Sequence, residues 1–224
     1  MSPTNATGRL PQRPAREDLR TIAVQPRTAT GSSSASSSSR RSEAARLAVL
    51  NAADDLLVEH GFEGLTIEGI AAAAGVAKQT IYRWWKSKVD ILFDNLVLDA
   101  GSALAWPEAA ADGPAGPSGP EQVRAYIHGF AVFLGEAPAG RVLQALLGHA
   151  QLDARTAELL HTGFLDGLRS RDVAQTRAAL GCSEDEAAVL LDALLAPLYH
   201  RALVLRRPLD TAFVDALLDQ HLPR

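Results

Sequence analysis

Hydrophobic positions recur at helical spacing through most of this chain, and no alternating stretch long enough for a strand interrupts them. Val49, Leu50, Ala53, Leu56 and Leu57 repeat three or four apart. The first helix is therefore expected to open on a Ser42 cap, with Glu43 at the positive end of its dipole, and to end at Gly61. A second helix runs from the hydroxyl cap Thr66 through Ala71 to Ala74, small residues that let a neighbouring helix approach closely. Gly75 stops it, because glycine tolerates the left-handed backbone common just past a helix C-terminus. Val76 fills the angle, and a third helix, about Ala77 to Trp84, buries Ile81 against Ile67 and Ile70. With Phe62 and Leu65 as staples, residues 42–88 form a three-helix core containing a helix-turn-helix.

The pattern stays helical beyond it. Ser87 and Asp90 make a capping pair for a fourth helix, whose Ile91, Leu92, Leu96 and Leu98 continue toward Leu104 and link two domains. The Pro/Gly/Ala stretch 107–120 is a loop or linker. Amphipathic helices follow from Glu121 to about Gly135, Arg141 to Leu152 and Ala154 to about Leu180, with Pro138-Ala139-Gly140 and Gly181 as punctuation. The last two span Glu184 to Leu205, kinked at Pro197, and Asp210 to Leu222. Their apolar residues, among them Val189, Leu190, Leu191, Leu194, Leu195 and Leu198, are spread too broadly for one buried face. The reading is all-α: a basic N-terminal tail over 1–41, a helix-turn-helix domain over 42–88 and a helical C-terminal domain over 89–224.

The third helix turns Lys78, Gln79, Thr80, Arg83 and Trp84 outward. A recognition helix places its N-terminal residues at base edges in the major groove, where donors and bidentate groups are needed, and Lys78 and Gln79 occupy those positions. Thr80, Tyr82 and Trp84 offer donors for phosphates, which set register without reading sequence. Lys78, Lys86 and Lys88 are the only lysines among 22 basic residues, a clustering that points to an anionic partner. A buried helical hairpin with a solvated charged end would share this spacing.

Phe62-Glu63-Gly64-Leu65-Thr66-Ile67, Ile70-Ala71, Ala74-Gly75-Val76 and Thr80-Ile81-Tyr82-Arg83-Trp84-Trp85-Lys86-Ser87-Lys88 resemble the DNA-binding domain of TetR-family transcriptional regulators, over about residues 42–95. The resemblance implies a homodimeric, all-helical, ligand-responsive repressor with three DNA-binding helices at its N-terminus and an effector-binding, dimerising body behind them. The family's base contacts fall on Lys78 and Gln79, and its phosphate contacts on Thr80, Tyr82, Trp84 and Lys88; Thr66 and Arg83 lie on the same face. This chain departs from the pattern in placing Trp84-Trp85 where a pair ending in Phe is common, and in carrying the acidic Glu68 beside the DNA face. In such a protein the last two helices pair with a second copy, setting two recognition helices about 34 Å apart on a palindromic double-stranded operator.

Net charge is −4, yet residues 1–41 carry +5, 42–90 carry −2 and 91–224 carry −7, so the acidic excess sits away from the tail. The tail, rich in Pro, Arg and Ser, is expected to be disordered, with Arg41 and Arg40 able to reach phosphates or the minor groove, or to have no role. Its prolines spoil the amphipathic helix of a transit peptide. No apolar run approaches a bilayer span and no signal-like segment is seen, so a cytoplasmic location is expected. The single Cys182 excludes an internal disulfide and a cysteine-built metal site. His149 and Asp153 share i, i+4 spacing without a third ligand, so no metal or cofactor is expected. No nucleophile elbow, phosphate-cradling glycine loop or paired acid and base points to an enzyme. A small-molecule effector would sit among residues 104–180, where Trp106, Phe130, Phe133, His149, His161 and Phe164 could line an apolar cavity. The competing binding mode is a non-specific DNA binder using the tail and the lysines on phosphates alone.

Overall fold

In a computed structural model, residues 33–107 and 118–222 are described, and all regular structure among them is helical. Helix α1 (Ser33–Gly64) begins ahead of the expected Ser42 cap. Once a turn exists each further residue adds a hydrogen bond at little entropic cost, and Arg40 and Arg41 are good helix formers. Residues 1–32 of the predicted tail lie outside the described residues. The helix breaks at Gly61 (φ 70°, ψ 178°), a backbone region open essentially to glycine, where its end was expected. Val49, Leu50, Ala53 and Leu57 form its buried stripe.

Helix α2 (Ile67–Ala74) is capped by Thr66, whose Oγ1 accepts from Gly69 N at 3.0 Å, and closes on Gly75 in the left-handed region (φ 66°). Helix α3 (Lys78–Trp84) follows directly. Ile70 and Ile81 are fully buried between them and Ile67 partly so. Helix α4 (Lys88–Ala103) opens on the Ser87–Asp90 pair. It is fastened to α1 by Asp94, which accepts from Arg46 and from the Trp85 indole, each at 2.8 Å, and by buried Asn95, which donates to Leu50 O at 3.1 Å and to Asp54.

Helix α5 (Gly119–Glu136) buries Val123, Tyr126, Ile127, Phe130, Ala131, Phe133 and Leu134, too broad a set for a surface helix, and forms the centre of the body. Helix α6 (Pro138–Ala150) starts within the triplet read as a break. Proline at the first helical position loses no hydrogen bond, and a Cβ on Gly140 would lie 1.8 Å from the Phe133 carbonyl oxygen, so glycine serves a close helix crossing. Helices α7 (Ala154–Leu160) and α8 (Asp166–Leu180) form the long helix expected from Ala154, joined through a π turn at His161–Leu165. Helix α9 (Glu184–Tyr199) contains Pro197 and passes into a second π turn, His200–Val204; α10 (Thr211–His221) is capped by Asp210. The run Glu184–Val204 is long and apolar enough, by length and composition, to cross a bilayer, more than the sequence reading allowed, because its few polar residues break the apolar run without much lowering its mean hydropathy. From Ser39 onward the described residues belong to one compact unit.

Candidate nucleic-acid interface

The helix-turn-helix presents Lys78, Gln79, Tyr82 and Arg83 to solvent, with Thr80 and Trp84 half-buried on the same short helix. Fixing that helix needs a firm base. Ile81 supplies it by complete burial, and Trp85, 3 % exposed, is anchored through its indole to Asp94. Trp84 packs edge-on against Trp85 (centroids 5.4 Å apart) and lies beneath the Arg83 guanidinium at 5.2 Å, so the unusual Trp pair divides its work. One indole is core, and the other steadies an outward arginine.

Two of the lysines are engaged within the chain. Lys78 donates to the Glu68 carboxylate from across the turn, and that hydrogen bond together with the lysine's charge holds the exposed Glu68 carboxyl below the usual carboxylate range. Lys88 donates to Phe62 O at 2.6 Å with its ammonium 4.2 Å from the Phe62 ring centre. That orientation turns it toward the end of α1. Lys86 is exposed, and its backbone N–H donates to Asp90 at 3.1 Å. Thr66 is exposed with its oxygen already accepting the α2 cap, and Arg41 is exposed on α1.

The start of α4 is also where the body takes hold. Arg155 at the start of α7 donates to Asp90 at 2.7 Å. Burial opposes ionisation of Asp90, but hydrogen bonds from Arg155 and Ser87 outweigh it and keep the carboxyl below its ordinary range. The His149 ring of α6 packs against Phe62 at a tilt (centroids 4.5 Å, 35°), and in the π turn Gly163 lies so close to Phe93 of α4 that an added Cβ would meet the ring at 2.6 Å.

Of the residues proposed from sequence to line an effector cavity, Phe130 and Phe133 are in ring contact (centroids 6.1 Å) and Tyr126 links Phe130 to Trp106. Phe130 and Phe133 are core residues at 1 % exposure. Trp106 stacks on Tyr126 (4.2 Å, 11°), His149 meets Phe62, His161 is exposed in the π turn and Phe164 is half-buried there. Asp153 caps α7 through Thr156 N at 2.7 Å, and no metal-binding cluster occurs among the described residues. A buried polar cluster escaped the sequence reading. Asp172, 2 % exposed, accepts from the Trp106 indole at 3.0 Å, from Tyr126 and from Arg171 at 2.7 Å. Burial, then the Asp172 charge, raises the Tyr126 and Tyr199 hydroxyls above their ordinary range, so both stay protonated. A groove of about 1160 Å³ opens elsewhere, between the end of α1, α5, α6 and residues 202–210.

Residues 49–94 match the family described as bacterial regulatory proteins, tetR family, and residues 120–221 match the tetracyclin repressor-like C-terminal domain. The crystal structure of the TetR family transcription regulator SCO0332 is 32 % identical, with 79 % of this chain and 95 % of that one covered and a TM-score of 0.59. The HTH-type transcriptional regulator YdeS of Bacillus subtilis (strain 168) is 29 % identical over 182 residues, 80 % of this chain and 88 % of YdeS. A TetR-like transcriptional regulator from Rhodococcus sp. RHA1 is 26 % identical, covering 78 % of this chain and 92 % of that one at a TM-score of 0.52.

Proposed function

This chain belongs to the TetR family of helix-turn-helix transcriptional regulators, and from that premise we propose that it is a dimeric repressor released from a palindromic operator by a small molecule. The observation that carries the DNA reading is the exposed start of α3, where Lys78 and Gln79 stand on a helix braced by buried Ile81 and Trp85. Lys78 and Gln79 read base edges; Thr80, Tyr82, Arg83, Trp84 and Lys86 face phosphates, with Lys88, Thr66 and Arg41 at the margin. The protein acts in the cytoplasm, where its operator is.

Dimerisation is supported by the apolar surface left on the last two helices: Val189 is 69 % exposed, and Ala196, Ala212 and Ala216 are also exposed on α9 and α10. Joining two copies there would give each recognition helix a two-fold mate, about 34 Å away on the duplex.

Release needs the body to move the start of α4, and the Arg155–Asp90 bond, the His149–Phe62 ring contact and the Gly163–Phe93 contact support that route. An effector favouring one arrangement by about 1 to 3 kcal/mol would weaken operator binding about 5- to 150-fold. Selection of bound duplexes from a random pool tests the core of the reading. Enrichment of a palindrome is expected; uniform recovery of all sequences would mean phosphate-only binding and end it.

A further inference from the structure

The groove at the junction of α1 with the body has a chemical character of its own. Its floor is apolar, with Leu57, Phe62, Ala131, Leu147, Leu203 and Leu209. Its rim carries Arg141 from the first turn of α6 and the consecutive pair Arg206-Arg207 from the connection between α9 and α10, all exposed. Among the described residues none of these three arginines is in an ion pair. Of the two carboxylates on the rim, Asp210 is already answered by Arg201 at 3.2 Å and by the Phe213 N–H at 2.9 Å, which leaves Glu136 alone against three guanidinium groups. Arg206 is also the one non-glycine residue with positive φ (49°) among those described, a strained conformation located at this rim.

We propose that this groove binds an amphipathic anion, an apolar body seated against Leu57, Phe62 and Leu203 with its carboxylate or phosphate held by Arg141, Arg206 and Arg207. A guanidinium offers paired donors that match either head group, and the cavity is of the size that holds a small ligand. The site deepens the release reading above and rests on it for its consequence. The ligand touches Gly61 and Phe62, and Phe62 in turn holds the Lys88 ammonium, the first residue of α4, through its ring and carbonyl. Displacing Phe62 therefore alters how the DNA-binding helices are seated on α4.

Titration calorimetry on the full chain with decanoate and decyl phosphate, each below its micelle-forming concentration, tests the site, with decanol as the uncharged control. Saturable binding of at least one anion is expected, with decanol weaker by about tenfold, and R206A/R207A and Arg141→Ala each weakening the anion by about five- to tenfold. All three positions are exposed, so circular dichroism should show the variants folded. No binding of either anion, or binding that ignores the arginine variants, overturns the proposal. So does a change in self-association by those variants without anion binding, which would mean that a second copy covers the groove. Operator binding with and without decanoate separates the two claims: arginine-dependent anion binding that leaves operator affinity unchanged keeps the site and overturns release by this route.

Discussion

Glu68 and Lys78 set the terms at the residue scale. A carboxylate on α2 holds the first residue of the recognition helix, and both groups are largely exposed, so the pair adds little to stability but much to the local charge that DNA meets. Glu68→Gln should raise affinity for duplex DNA, since the carboxylate then no longer repels the phosphates and Lys78 is released to reach a base edge. Lys78→Ala should weaken binding to the preferred operator by about 1 to 3 kcal/mol and flatten discrimination at one base pair. Anisotropy titrations at several salt concentrations read both effects, and equal behaviour of the two variants would refute the assignment. Asp90 makes a pH prediction. Its folded carboxyl titrates below its unfolded value of about 3.9, so its contribution is complete above that pH and is lost as pH falls through the folded value. Asp90→Asn should therefore lower stability at neutral pH and lessen the further loss as pH falls below about 3.9, measured by urea unfolding. None of these pairings could be read from spacing, since Lys78 and Glu68 are ten residues apart and Asp90 and Arg155 sixty-five. The sequence showed only that an acid lay beside the DNA face.

Elements were legible wherever their cause was local. Thr66, Gly75, Ser87 and Asp210 cap or stop helices through their own side chains or backbone freedom, and their neighbours in sequence suffice to reveal them. Where tertiary packing decided, reading failed. Pro138-Ala139-Gly140 looks like a break until the Phe133 carbonyl is known to lie against Gly140. Neither π turn has a sequence code, and the period that marks Phe130 and Phe133 as apolar does not tell a cavity wall from a packed core. Gly140→Ala should accordingly destabilise the body by about 3 kcal/mol or more, because the clash is with backbone and no rotamer relieves it. Gly61→Ala should lower stability by about 1 to 3 kcal/mol through strain alone, since nothing lies within 4 Å of its Cβ position. Chemical unfolding measures both, and an unchanged midpoint for Gly61→Ala would show that the kink relaxes into regular helix.

At the scale of the whole molecule the proposed dimer makes its own prediction. Val189 and Ala196 stand seven residues apart on one side of α9, so a double V189E/A196E variant should stay folded but sediment as a monomer. It should also lose operator affinity by more than tenfold, since one recognition helix must then bind without its mate. An intact dimer would move the interface elsewhere. The sequence showed an apolar pattern wider than one buried face, and the structure leaves Val189 and Ala196 of it exposed. The Asp172 cluster was not visible there, because Trp106, Tyr126 and Asp172 meet only after folding. The distribution of lysine has a practical corollary for anyone handling the protein. Apart from the α-amino group, every primary amine lies at positions 78, 86 or 88. Amine-directed dyes, acetylating agents and activated sensor surfaces will therefore attack the DNA-reading end first, Lys88 being the most sheltered. Coupling through amines would block the face under study, whereas tethering the duplex leaves it free, and protection of these amines by DNA would give a footprint without background from the body.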